Sequence, residues 1–288
     1  MNDINLIPKE AFEPLGDVAN NLIDKISNAI GYIYTPRGKR KDRIEAAEYL
    51  INEIKENKEM PPLVKAAAIS ESRKIIKEYL NKNRILDIAI ENLADNSKVD
   101  ELEDDWLFIF FDKAGKVSSK DAQMLFGRIL SEECNKPRSV SKSLVNVLGA
   151  MDSASAESFR KLRNYIFSVE KSESNDEGYV VVIPDVSELQ EIEITFDDII
   201  ELTRLGLVEY LALGEYTREF KGISLEYAEK TVKITSKDKL PIGSVVLTRI
   251  GQELANILMI ETPDYGYYNE TVKYWKKNGA DIIENFNI

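Results

Sequence analysis

The sequence predicts a mostly α-helical protein with a small α+β part towards its carboxyl end. Over most of residues 15–166, large apolar side chains recur three and four positions apart, which is the period of helices with one buried face. After a polar stretch at 171–178, short runs rich in β-branched residues are separated by Pro and Gly, a pattern typical of strands. The predicted helices are short, so we expect them to pack together as an N-terminal and central helical bundle.

The central stretch, residues 104–151, contains the clearest helix signals. Trp106 opens an apolar face, Ser118 begins a sequence similar to a capping box, and Pro137 stops the helix that follows. Ser139 or Ser141 can cap the next helix. The pattern predicts three short helices whose apolar faces form a core, and we prefer this interpretation to an active site.

The first predicted helix has a nearly heptad apolar face that needs a partner. It spans 15–33, and a break is expected at Gly31–Pro36. The face could be covered by later helices of the same chain or by a second copy, and we expect a homo-oligomer held partly by this helix. The candidate interaction residues are Leu15, Leu22, Ile26, Ile30 and Ile33.

A basic cluster follows this helix at once and is a candidate patch for an anionic partner. Its residues are Arg37, Lys39, Arg40, Lys41 and Arg43. An apolar helix beside a basic cluster also suggests membrane contact, but the uncharged run 26–36 is too short to span a bilayer. A helix–helix interface, membrane contact, and nucleic-acid or nucleotide binding remain open for this segment.

Further helices are expected on either side of two consecutive prolines. The apolar pattern predicts one helix over 44–54, a second over 63–80 after Pro61-Pro62, and a third over 83–94. The acidic run at 96–105 is interpreted as a solvated linker that places negative charge at the start of the Trp106 helix.

The carboxyl-terminal part resembles half of a winged-helix module. A helix capped by Thr195 leads through L-G-L-V into strands, and L-T-R-I-G-Q-E-L then opens another helix. The resemblance covers 194–258. Because this region shows no helix with clustered Arg and Lys on one face, we expect it to be structural or protein-binding rather than DNA-reading. The expected domains are 1–98 (N-terminal helical), 99–170 (central helical), 178–262 (winged-helix-like) and 263–288 (C-terminal helix).

Composition excludes several kinds of chemistry. The 288 residues include one cysteine and no histidine, which removes a disulfide framework and the commonest general base and metal ligand. Cys134 follows two glutamates and is expected to be structural. Phosphate-loop, dinucleotide-binding and nucleophile-elbow motifs are missing, so we predict no catalytic residues, cofactor or metal, although a site made only of carboxylates stays open.

Charge and the amino-terminal sequence bear on partners and location. The formal net charge of -12 argues against nucleic-acid binding overall, so a protein partner or a second copy is expected. Residues 1–9 lack the pattern of a signal peptide, and we expect a cytoplasmic protein.

Several segments together resemble an uncharacterised bacterial family, domain of unknown function 2806. They are L-I-x-K-I-S-x-A-I-G-x-I-Y-x-P at 22–36, W-x-x-x-F from Trp106, V-S at 117–118, I-L-x-x-E from Ile129, P-x-x-V-S at 137–141, and the L-G-L-V and L-T-x-x-G-x-x-L segments. The central segment is also similar to the Abi-alpha group linked to abortive infection. The resemblance implies a bacterial, anti-phage role and no assigned catalytic residues.

Three functions are compatible with these patterns. The first is a non-enzymatic interaction protein, a sensor or effector in anti-phage defence, because helix faces need partners and no catalytic constellation is evident. The second is a membrane-acting, toxin-like effector that uses residues 15–43. The third is a DNA-binding regulator that uses the winged-helix-like region.

Overall fold

The chain divides into two units, Met1–Gly149 and Ala150–Ile288, in a computed structural model that describes residues 16–169, 180–181 and 193–286. The described part contains ten α-helices and three small antiparallel sheets, so the protein is mostly α with some β. The helices of the first unit are α1 (Asp17–Ile30), α2 (Arg40–Glu56), α3 (Pro62–Glu91), α4 (Asp104–Lys116), α5 (Lys120–Asn135) and α6 (Lys142–Ala150).

The longest element, α3, is one continuous helix where the sequence predicted two. Pro62 occupies its first turn, where a missing N–H costs nothing, and the helix then runs for 30 residues. The polar stretch around residue 81 does not end it because Asn81 and Asn83 find partners elsewhere. Asn81 Nδ2 donates to the carbonyl of Gly115 at 2.8 Å, and Asn83 Oδ1 accepts from the backbone N–H of Thr35 at 2.9 Å.

The core of the first unit forms where α3, α4 and α5 pack together. Phe110 lies at its centre, with its ring centroid 4.9 Å from that of Trp106 and 5.5 Å from that of Phe126. Gly127 allows α5 to approach α3, since a Cβ at this position would lie 2.4 Å from Cγ2 of Ile88. The predicted boundary at 98/99 therefore falls inside one unit, because helices on both sides of it share this core.

The second unit combines four helices with three antiparallel sheets. Its helices are α7 (Ser153–Arg163), α8 (Phe196–Arg204), α9 (Arg249–Ile257) and α10 (Tyr265–Lys277). Its strands are β1 (Ile166–Val169), β2 (Val180–Val181), β3 (Val208–Tyr210), β4 (Thr217–Arg218), β5 (Lys221–Tyr227), β6 (Lys230–Thr235), β7 (Leu240–Pro241), β8 (Val245–Leu247) and β9 (Asp281–Phe286). The main sheet has the order β2-β1-β5-β6-β9, and β3–β8 and β4–β7 form two separate pairs.

Aromatic side chains fill the core of this unit. Phe167 on β1 is fully buried, and its ring centroid lies 4.9 Å from that of Tyr227 and 5.2 Å from that of Trp275. The Tyr227 hydroxyl donates to the carbonyl of Asn164 at 2.6 Å, which satisfies its buried polar end. Ile166 begins a strand here, so the helical spacing of apolar residues that extends to 166 in the sequence runs past the end of α7 at Arg163.

The carboxyl-terminal segment is helix followed by strand, and not a helix alone as the sequence predicted for 263–288. After α10 the chain turns at Gly279 and then enters β9. The φ of Gly279 is 95°, a positive value that glycine adopts more easily than other residues. β9 pairs with β6 from Thr235↔Asp281 to Lys230↔Phe286, so its backbone completes the main sheet. The predicted strand at 179–183 is represented by β2, and its other residues lie outside the described part of the chain.

Candidate functional site: a basic groove between α2 and α3

A groove of about 500 Å³ lies between α2 and α3 in the first unit. The break at Pro61-Pro62 returns the chain so that the two helices pack as a hairpin. On α3, Arg73, Lys77, Leu80 and Arg84 are spaced by four, three and four residues, which places them on one face of the helix. The lining residues are Glu48, Ile51, Asn52, Lys55, Arg73, Ile76, Lys77, Leu80, Asn81, Arg84 and Ser118.

Four cations surround the groove against one lining carboxylate, that of Glu48. They are Lys55, Arg73, Lys77 and Arg84, and all four are exposed. Within the described residues, none of them has a carboxylate oxygen within 4.0 Å. Lys55 Nζ donates a hydrogen bond to the neutral amide oxygen Oδ1 of Asn52 at 3.1 Å. Their positive charge is therefore directed to solvent or to a ligand.

The floor of the groove is apolar and firmly held. Ile51 is 6% exposed, and Ile76 and Leu80 are partly buried beside it. Asn81 closes the groove near Ser118, with its amide nitrogen bonded to Gly115 and its amide oxygen accepting from Gln123 Nε2 at 3.0 Å. A ligand in this groove would meet a fixed apolar surface bordered by mobile cationic side chains.

The basic cluster predicted from the sequence lies at the start of α2 and is largely separate from this groove. Arg37 and Arg40 turn towards Asp87 on α3 and form ion pairs with it. Arg40 Nη1 and Nη2 each donate to one carboxylate oxygen of Asp87 at 2.6 Å, and Arg40 Nε donates to the carbonyl of Thr35 at 2.7 Å. Lys41 lies 3.7 Å from Glu45, and Lys39 and Arg43 are exposed. Three of the five predicted cations, Arg37, Arg40 and Lys41, are thus paired with carboxylates of their own chain.

Asp87 is the buried charge that the sequence interpretation missed. Burial raises the pKa of its carboxyl, but hydrogen bonds from Arg40, Arg37 and Tyr34 more than offset this and hold the pKa below its ordinary value of 3.8. The Tyr34 hydroxyl donates to Asp87 Oδ1 at 2.8 Å. The available signal was a lone carboxylate within the apolar run 85–90, a place where a charge must be paired.

Two of the four described residues of the predicted interaction face around α1 are covered by the chain itself. Leu22 is fully buried and Ile26 is 1% exposed, because α1 packs against α4. Ile30 is partly exposed and Ile33 is 37% exposed, while Leu15 lies outside the described residues. The covered side chains contribute to the core of the first unit, which leaves Ile30 and Ile33 as the accessible members of the predicted set.

The described residues also bear on metal binding and on membrane insertion. No group of three or more Cys, Asp or Glu side chains there is arranged to hold a metal ion. No helix in that part of the chain combines the length and the apolar character needed to cross a bilayer.

Three of the sequence segments singled out for their resemblance meet at the loop between α5 and α6. Trp106 Nε1 donates to the carbonyl of Val140 at 2.9 Å. The carboxylate of Glu133 accepts from the backbone N–H of Arg138 at 2.7 Å and of Val140 at 2.8 Å. Arg138 has a φ of 69°, so these bonds hold a strained loop in place. The segments W-x-x-x-F, I-L-x-x-E and P-x-x-V-S are therefore joined by hydrogen bonds that fix the loop between α5 and α6.

The two late segments also meet each other. Gly206 ends α8 with a φ of 73°, and Leu207 N–H bonds to the carbonyl of Leu202 at 3.0 Å, which is a Schellman arrangement. Thr248 caps α9, and its hydroxyl donates to the carbonyl of Gly206 at 2.6 Å. L-G-L-V and L-T-x-x-G-x-x-L are thus two sides of one packing contact.

Comparison with known families supports the resemblance across most of the chain. The model of the family described as protein of unknown function, DUF2806, matches residues 70–271. The chain belongs to this family. The DUF2806 match contains both contacts just described, and it begins after the 22–36 segment. No curated protein and no solved structure matches the chain.

The groove straddles the start of the DUF2806 match. Arg73, Lys77 and Arg84 lie within the matched residues, whereas Lys55 on α2 lies before them. The spacing of the three α3 cations was visible in the sequence, but the interpretation used only the apolar positions of that helix. The pairing of α2 with α3, which brings Lys55 opposite them, required the structure.

Proposed function

We propose that this protein is a non-enzymatic interaction protein that binds an anionic partner in the groove between α2 and α3. The observation that carries the proposal is the set of four cations, Lys55, Arg73, Lys77 and Arg84, which have no carboxylate partner within the described residues. Elsewhere in the same unit, Arg37 and Arg40 are neutralised by Asp87 and Glu91. Unpaired cations around a preformed groove are the usual arrangement of an anion-binding surface.

The distribution of charge favours the first unit as the binding part. It contains 23 Lys and Arg and 25 Asp and Glu, a formal net charge of -2. The second unit contains 15 and 25, a formal net charge of -10. An anion is therefore repelled much less by the first unit than by the second.

The proposal is tested by affinity capture from bacterial cells with three baits. The Arg73→Gln/Lys77→Gln double variant should lose salt-sensitive partners that the unchanged protein retains. Lys74→Gln is the matched control, because Lys74 is an exposed cation on α3 that does not line the groove. Capture of the same molecules by all three baits would contradict the proposal, and so would catalytic turnover of a captured molecule by the purified protein.

We further propose that this interaction serves anti-phage defence, as a sensor or effector in abortive infection. The support is the similarity of residues 104–151 to the Abi-alpha group. Cells that express the chain should show fewer phage plaques than cells that carry an empty vector, and the groove double variant should restore plating. Equal plating with and without the chain, over a panel of phages, would count against a role in defence.

The winged-helix-like arrangement is a second proposal, for the second unit. It is supported by the order α8, β3, β8, α9 and by antiparallel pairing of β3 with β8 from Val208↔Leu247 to Tyr210↔Val245. The net charge of -10 favours a protein partner for this unit over DNA. Retention of a random DNA duplex with a steep dependence on salt would instead favour a regulator.

A further inference from the structure

The dimensions of the groove suit a small ligand. Its volume of about 500 Å³ lies within the range of roughly 300–1,000 Å³ that is typical of small-molecule sites. Along α3, Arg73 and Lys77 are one turn apart, ~6 Å, and Lys77 and Arg84 are two turns apart, ~10 Å. Lys55 stands on the opposite wall, on α2. Positive charge thus lines both sides of a short cleft and does not follow an extended track.

The chemistry of the lining separates a phosphate-rich small molecule from single-stranded nucleic acid. Proteins that hold single strands stack the bases on aromatic side chains. The residues that line this groove include no Phe, Tyr or Trp, and its floor is formed by Ile51, Ile76 and Leu80. The recognition groups are guanidinium and ammonium ions, which bind phosphate oxygens, above an apolar surface that one flat organic group can cover.

Charge outside the groove also limits the length of the ligand. Outside the lining, α2 carries Glu53 and α3 carries Glu78, whereas Glu45 and Glu71 on the same helices are paired with Lys41 and Lys74. A long polyanion would have to leave the groove and pass such carboxylates, which repel it. A compact polyanion meets the four cations and Glu48 alone.

We propose that the groove binds a small polyphosphate ligand of the nucleoside polyphosphate class. Arg73 and Arg84 would bind phosphate oxygens in a bidentate manner, and Lys77 and Lys55 would act as point charges on the two walls. The organic part of the ligand covers Ile51, Ile76 and Leu80. This inference rests on the proposed function, since it specifies the anionic partner of the same groove.

The test is isothermal titration calorimetry of the full chain at one fixed, low salt concentration. The probes are inorganic tripolyphosphate and ATP, each with a chelator present so that the protein cations alone are measured. Both probes should bind, and ATP should bind more tightly because its base can cover the apolar floor. Arg73→Gln and Lys77→Gln should each weaken binding about tenfold, the usual effect of losing one charge-assisted hydrogen bond.

Two control variants separate a ligand contact from an effect on folding or overall charge. Lys74→Gln removes the same charge one residue from Arg73, at a side chain that lies 3.6 Å from Glu71 and outside the groove, and it should leave affinity within about twofold. Lys77→Arg keeps the charge and should retain binding. Circular dichroism melts should show unchanged stability for all four variants, because these side chains are exposed.

The outcomes distinguish this inference from the proposed function. If neither polyphosphate binds, but an acidic peptide or a single-stranded oligonucleotide binds with the same dependence on Arg73 and Lys77, the ligand class is wrong and the anionic partner stands. If no anion of the three classes binds in a way that depends on those two residues, both proposals are overturned. Equal loss of affinity in Lys74→Gln would mean diffuse attraction and would overturn the groove as the site.

Discussion

Arg40 and Asp87 form a bidentate ion pair that joins the start of α2 to the carboxyl-terminal part of α3. The terminal nitrogens Nη1 and Nη2 of Arg40 each lie 2.6 Å from a carboxylate oxygen of Asp87. The Arg40 side chain is 12% exposed and the Asp87 side chain is 6% exposed. Arg40 also donates to the carbonyl of Thr35, so it closes the segment between α1 and α2. The ion pair therefore holds α2 against α3 at the open end of their hairpin. It also fixes the adjoining end of the groove.

Breaking this ion pair should destabilise the first unit strongly. Arg40→Ala leaves a largely buried carboxylate with fewer partners, and we expect the free energy of unfolding to fall by about 3 kcal/mol. Arg37→Ala should cost less than about 1 kcal/mol, because its side chain is 64% exposed and solvent screens its charge. Urea denaturation of both variants measures the difference. Equal losses would show that burial of the Arg40–Asp87 pair contributes nothing special.

The same pair predicts how stability depends on pH. The folded-state pKa of Asp87 lies below its unfolded value, so its stabilising effect is complete above the unfolded pKa and is lost as pH falls through the folded pKa. The difference in unfolding free energy between the unchanged protein and Asp87→Asn should be largest near neutral pH and should shrink below about pH 4. A difference that is constant over this range would contradict the ionic role.

Local patterns predicted most elements of the fold. The cap at Thr195 and the periodicity of α5 are signals carried by a few neighbouring residues, and both elements are present. Elements that depend on distant partners were missed. β9 is stabilised by pairing with β6, some fifty residues earlier, and α3 continues past Asn83 because the segment after α1 supplies hydrogen-bond partners, Tyr32 and Thr35.

From the sequence we predicted the chemical class of the partner, an anion, but not the residues of the candidate site. The sequence indicated an anionic partner near the start of α2, but the charge that binds Arg37 and Arg40 is internal. The groove depends on which helix faces meet, and a helical period cannot show that Lys55 stands opposite Arg73 and Lys77. The five apolar residues of the first predicted helix were interpreted as one surface. Of the four that the structure describes, tertiary packing buries Leu22 and Ile26 and leaves Ile30 and Ile33 accessible.

Gly251 in the second unit lies too close to a neighbouring backbone segment to have room for a Cβ atom. A Cβ there would lie 1.9 Å from the carbonyl oxygen of Leu207, which belongs to the backbone and cannot move alone. Gly251→Ala should lower the free energy of unfolding by about 3 kcal/mol through forced separation of α9 from β3. Gly149→Ala is the matched control, since its Cβ meets only the flexible side chain of Lys113. Thermal melts of the two variants should differ clearly, and a neutral Gly251→Ala would contradict the close contact.

The thiol of Cys134 should be unreactive in the folded protein. It is fully buried, and burial together with the neighbouring Glu133 raises the pKa of its thiol to about 12. A thiol-specific colorimetric reagent at mildly alkaline pH should therefore react only after denaturant is added. The denatured chain provides the control, because its single thiol must then react fully. Rapid reaction of the native protein would show that α5 opens in solution.

Self-association remains a prediction, and the structure changes the residues that test it. Leu22 and Ile26 are buried in the first unit, so replacing them with Asp would unfold it. The tip of the α2–α3 hairpin instead exposes Leu63 by 83% and Val64 by 53%. Covering such side chains with a second copy would contribute ~1.5–3 kcal/mol each. The expected homo-oligomer should therefore weaken in Leu63→Asp/Val64→Asp.

Light scattering over a range of concentrations measures this effect directly. Leu213→Asp is the matched control, because Leu213 is 92% exposed in the second unit and should leave the mass unchanged. The hairpin variant should shift to monomer at concentrations where the control remains associated, with both showing the same helix content by circular dichroism. A full-length protein that stays monomeric at high concentration rules out self-association. An oligomer of unchanged mass in the hairpin variant rules out the hairpin tip as its interface.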